Sequence, residues 1–114
     1  MNVYTYKTKG DKDLIYDYIN NLPVNEQSKG LELIKQIKDD GSKALRLMDT
    51  RQLRKKLYEI KFSNNRLMYV IADEDNIYIL HACKKQKGKA EVFEINKALK
   101  RAKELGRELE KEFV

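Results

Sequence analysis

Cysteine, histidine and proline occur once each in this chain of 114 residues, as Cys83, His81 and Pro23, and tryptophan is absent. A lone cysteine excludes an internal disulfide, and one histidine beside it supplies no metal-binding cluster. His81 and Cys83 are read as pointing to opposite faces of a strand, so no metal is expected to bind there. Long apolar runs are missing too. None approaches the roughly 20 residues that a membrane span requires. The opening residues, MNVYTYKTKG, lack an apolar signal core, which leads us to expect a cytoplasmic chain without a membrane partner. There is no glycine-rich phosphate loop and no HExxH, GxSxG or CxxC motif. These absences remove the commonest nucleotide-dependent, zinc-dependent, serine-hydrolase and redox chemistries, and no cofactor is implied.

Charge is what the chain has in quantity. Charged residues make up 37% and hydrophobic residues 41%, which suits one domain around a single core. Residues 1–50 hold 8 Lys/Arg and 8 Asp/Glu, whereas residues 51–114 hold 16 against 10, so the second half carries the entire net charge of +6. That asymmetry favours a polyanionic partner.

Hydrophobic spacing predicts an α+β fold. Val3–Thr8 alternates as a first strand. Asp11 or Asp13 is suited to cap a helix whose stripe is Leu14, Ile15, Tyr18, Ile19 and Leu22, and Pro23 ends it. Asn25 is read as the cap of a second helix carrying Leu31, Ile34 and Ile37, and Gly41 stops that one. The two helices are expected to form a hairpin. A connector, with a short strand at Ala44–Met48, leads into a meander of three strands: Leu57–Ser63, Arg66–Ala72 and Ile77–Cys83. The turns fall at Ser63-Asn64-Asn65 and at Asp73–Asn76. A basic loop, Lys84–Ala90, precedes a final helix from about Glu91 with the stripe Val92, Ile95, Leu99, Ala102, Leu105 and Leu109. Its charged last turns are expected to fray. The sheet is thus three- to four-stranded and mostly antiparallel, between an N-terminal strand with a helical hairpin and a C-terminal helix.

Antiparallel pairing is expected to bring Arg54, Lys55 and Lys56 level with Lys84, Lys85 and Lys87, so that two basic clusters share one sheet edge. Arg54, Lys55, Lys56, Lys87 and Lys89 are then candidate RNA contacts. Lys84, Lys85, Arg66, His81 and Tyr58 are the candidates for chemistry. Cations, tyrosines and one histidine suit RNA cleavage, because the ribose 2′-OH supplies the nucleophile and the protein need only move protons and stabilise charge. Singly, each has a structural reading: Tyr58 and His81 as core residues, and the basic residues as solvated surface.

The order of these elements, LRKKLYEIKF, then NRLMYVIA, then NIYILHACKKQKGKAEVFEINKALKRAKEL, resembles the RelE/ParE toxin superfamily, closest to its phage-derived HigB-like branch. The resemblance covers about half the chain. Tyr58-Glu59, His81, Lys84-Lys85, Glu94-Ile95 and Ala98 occupy the positions of the family pattern. It implies a RelE-like fold and the toxin of a type II toxin–antitoxin pair, a metal-independent endoribonuclease acting on mRNA in the ribosome. A helix-turn-helix antitoxin is the implied partner. The ParE-like branch implies inhibition of DNA gyrase instead, and loss of activity would leave a basic binding module. Two departures stand out. The middle strand reads Met68-Tyr69-Val70 where the family pattern has Tyr-Arg, which removes a bidentate phosphate clamp. The position after His-x, commonly aromatic, is Cys83.

Overall fold

The structure, a computed structural model, describes residues 1–114 throughout. It is α+β, with strand β1 (Asn2–Thr5), helices α1 (Leu14–Asn20), α2 (Val24–Asp40) and α3 (Ser42–Leu47), strands β2 (Thr50–Arg54), β3 (Leu57–Phe62), β4 (Asn65–Asp73) and β5 (Asn76–Lys84), and helix α4 (Gly88–Leu109). The sheet has five strands in the order β1-β5-β4-β3-β2 and is mixed, because β1 pairs parallel with β5 while the other neighbours are antiparallel. Five strands replace the three or four expected. Ala44–Met48, expected as a strand, is largely the short helix α3, and the fourth antiparallel strand lies just after it at Thr50–Arg54.

Alternation along the strands sorts side chains onto two helix-covered faces. Ile60 and Phe62 of β3, Leu67 and Tyr69 of β4, and Ile77 and Ile79 of β5 pack with Ile15, Ile19, Ile34 and Ile37 from α1 and α2. Leu57, Met68, Val70, Leu80 and Cys83 face the other way, against Ala98, Leu99 and Ala102 of α4. Gly30 lets α2 approach closely, since a Cβ there would lie 3.1 Å from the Phe62 ring and 3.2 Å from Ile19. The Asp13 carboxylate accepts from the backbone N–H groups of Ile15 and Tyr16 and caps α1, as expected. Helix α2 begins two residues earlier than expected, with Pro23 rather than Asn25 at its N-cap.

Three further differences concern the ends of elements. Ser63, not an asparagine, takes the positive φ of the β3–β4 turn, at 51°. Helix α4 starts at Gly88, one turn before Glu91, and Val92 sits on its outer side, 56% exposed, rather than in the core. The C-terminus does not fray. Glu110 caps α4 in the left-handed region, the chain folds back, and Phe113 is buried in the α4 core while its carbonyl accepts from the Lys56 N–H at 2.9 Å.

Candidate functional site

Two hairpins reverse the chain twice, so β5 runs in the same direction as β3. The start of β3 and the end of β5 therefore lie at opposite ends of the sheet, and the shared basic edge expected from the sequence does not form. The register shows this directly: Phe62 pairs with Asn65 and Asn65 with Lys84, whereas Arg54 pairs with Leu57. Arg54, Lys55 and Lys56 sit instead beside the C-terminal tail, where Lys55 Nζ lies 3.5 Å from Glu112. Tyr58 is near that end as well, on the α1/α2 face, stacked on Tyr69 with ring centroids 5.9 Å apart. Tyr69 is buried there, and burial with the neighbouring Tyr58 pushes its hydroxyl up to about 12. A cation at position 69 would point into the core rather than toward a phosphate.

The other end gathers Lys84, Lys85, Lys87 and Lys89, all exposed, around the β3–β4 turn and the first turn of α4. The Lys85 N–H donates to the Asn64 carbonyl at 2.7 Å and pins the loop to that turn. Beneath it, buried Asn65 donates to Glu26 Oε1 at 2.8 Å and accepts from the Tyr18 hydroxyl at 2.6 Å, with Lys84 Nζ 3.9 Å from the same Glu26 oxygen. Asn65 thereby ties both N-terminal helices to the end of the sheet.

On the α4 face, Arg66 is 4% exposed and is held by two carboxylates. Its Nε lies 3.2 Å from Glu59 and its Nη1 3.3 Å from Glu91. Arg51 Nη2 approaches the same two, at 2.6 Å from Glu59 and 3.3 Å from Glu91. Glu59 is fully buried, and its approaches to the arginines lie off the hydrogen-bond axis, so charge rather than alignment ties it into the network, whereas Arg51 hydrogen-bonds Glu91. Burial pushes the Glu91 carboxyl up, but Arg66 and Arg51 together outweigh it and hold Glu91 below the usual carboxylate range.

A bulge at Leu80 turns Leu80 and His81 toward α4 together, since two steps along β5 there match one along β4. Residues two apart share a face of a strand, so Cys83 points the same way as His81, contrary to expectation. The ligand atoms of His81, Cys83 and Glu94 lie within 4.8 Å of one another. The protonation pattern opposes a metal there. Arg101 Nη1 donates to the Leu80 carbonyl at 2.8 Å and to His81 Nδ1 at 3.1 Å, and a guanidinium has no acceptor. The imidazole proton is thus on Nε2, donated to Glu94 at 3.1 Å, where a metal would need a lone pair. Burial lowers the His81 pKa and Arg101 lowers it further, against the pull of Glu94, so the ring is neutral. Burial, with Glu94, pushes the Cys83 thiol up to about 12.

Of the ten candidates from the sequence, Lys84, Lys85, Lys87, Lys89 and Arg66 share one end of the sheet with His81 beneath them, Arg66 and His81 being buried. Tyr58, Arg54, Lys55 and Lys56 do not join them. Arg51, Asn65, Glu91 and Arg101 were not singled out. The signal for the network was Glu59, a carboxylate on the same strand face as Leu57.

This architecture, two helix-covered faces with a lysine-rich loop at one end, accompanies a family match that defines the class as a phage-derived, toxin-like protein of RelE/HigB type. The matching profile is that of the phage derived protein Gp49-like family (DUF891), over residues 17–103, and the chain belongs to that family. No curated protein matches the chain. No helix is long and apolar enough to cross a membrane.

Proposed function

We propose that the protein is the cytoplasmic toxin of a type II toxin–antitoxin pair and cleaves mRNA on the ribosome without a metal. The observation that carries this reading is the gathering of the exposed Lys84, Lys85, Lys87 and Lys89 between β5 and the start of α4, pinned to the β3–β4 turn by the Lys85 N–H. In the proposed reaction the 2′-OH loses its proton and attacks the adjacent phosphorus. A 2′,3′-cyclic phosphate forms as the bond to the 5′-oxygen breaks, and that oxygen takes up a proton. Lys84 and Lys85 stabilise the charge on the phosphoryl oxygens. Both nitrogens of His81 are engaged, both oxygens of Glu91 are held by Arg51 and Arg66, and Tyr58 lies toward the far end, so one of the exposed pair Lys84 and Lys85 is assigned the proton from the 2′-OH while the other stays on the phosphoryl oxygens. A helix-turn-helix antitoxin is the proposed partner, with acidic surface placed over the lysines.

The test is translation-dependent cleavage of a reporter mRNA by the purified protein. Lys84→Ala with Lys85→Ala is expected to lower the rate by at least about 100-fold, the scale of losing preorganised charge stabilisation. Intact mRNA with wild-type protein, together with induction of a DNA-damage response in cells, would overturn the reading in favour of gyrase inhibition.

A further inference from the structure

Beyond Lys89, the outer side of α4 takes no part in the site just described. Along α4 the exposed charged residues are Lys89, Lys97, Lys100, Lys103, Arg107 and Glu108, five cations with a single acid at the far end, while Glu91, Glu94 and Glu104 are only half-exposed. At 100° per residue these cations fall within one side of the helix, along about 27 Å of its length. Phe93 stands among them, 60% exposed, with Val92 beside it and Lys97 Nζ 4.7 Å from its ring centroid. Lys89 lies one turn before Phe93, on the loop side that leads to Lys84 and Lys85.

A solvated amphipathic helix does not need a phenylalanine on its charged side. A row of cations around an exposed ring is how proteins hold single-stranded nucleic acid: the cations follow the phosphates and the ring stacks a base. The one exposed acid of α4, Glu108, lies at the end of the row away from the lysine loop, so the stretch from Lys89 to Lys103 around Phe93 presents cations to a partner. We propose that the outer face of α4 is a track for single-stranded RNA, with Phe93 stacking one base and Lys89, Lys97 and Lys100 contacting the flanking phosphates. The track leads the strand toward Lys84 and Lys85. This rests on the RNA-cleavage reading for its purpose, not for its chemistry.

The probe is a short, fluorescently labelled, uridine-rich strand carrying 2′-O-methyl groups, so that binding is read without cleavage, with a duplex of the same length as control. Phe93→Ala is expected to weaken single-strand binding about ten-fold and to leave duplex binding unchanged, while Phe93→Tyr binds as the wild type does. Lys97→Ala with Lys100→Ala is expected to reduce the slope of log affinity against log salt by about 1.4. Single-strand affinity equal in Phe93→Ala and wild type overturns the proposal. So does a Phe93→Ala variant that binds RNA normally but no longer docks a protein partner. Phe93-dependent binding by a wild-type protein that cleaves no mRNA supports the track and overturns only the catalytic reading.

Discussion

Arg66 shows how a residue with the composition of a substrate contact is committed to structure. Its guanidinium is enclosed between Glu59 and Glu91, and removing it leaves Glu59 buried with only Arg51. Arg66→Met is expected to destabilise the protein by about 3 kcal/mol in urea unfolding, whereas Glu59→Leu with Arg66→Met recovers most of that loss. His81 carries a pH dependence. Its folded pKa lies below the unfolded value of 6.5, so the unfolded chain binds the proton more readily. Stability from this group is therefore complete above pH 6.5 and declines as the pH falls from there toward the folded pKa. His81→Gln is expected to flatten the urea midpoint between pH 7.5 and 6. At this scale the sequence was a partial guide. His81 within an apolar strand was legible as a core histidine. The tautomer was not, because Arg101 comes from a helix 20 residues away in sequence.

The elements themselves were largely legible, since strands with period two and helices with apolar stripes declare themselves over six or more residues. Ser42–Leu47 was not, because a segment that short satisfies either pattern. The parallel pairing of β1 with β5 was hidden for another reason: no local pattern records which strand an N-terminal segment joins. The relative direction of β3 and β5 was open to inference, because two tight turns between three strands return the chain to its first direction. The turn after α4 depends on Gly106. A Cβ there would come within 2.5 Å of the Lys111 carbonyl oxygen, in the segment that folds back to bury Phe113. Gly106→Ala is expected to cost about 2 kcal/mol in thermal unfolding and to expose the last residues to carboxypeptidase.

For the molecule as a whole, the excess charge is distributed unequally between the two ends of the sheet. Arg54, Lys55 and Lys56 lie beside the tail, where Lys55 meets Glu112, whereas the lysines after β5 continue into the cationic side of α4. The charge count located the excess in the second half of the chain, but only the strand directions decide which end carries it. The buried thiol between β5 and α4 has a use of its own. Cys83 is the one cysteine, and burial holds it protonated well above neutral pH, so an alkylating reagent meets a thiolate only when α4 lifts from the sheet. The native chain consequently carries its own clock for that opening. Labelling is expected to be far slower than for an unfolded control and to quicken in Glu94→Ala, reporting how often the helix that bears the cationic track parts from the strand that leads into the lysine loop.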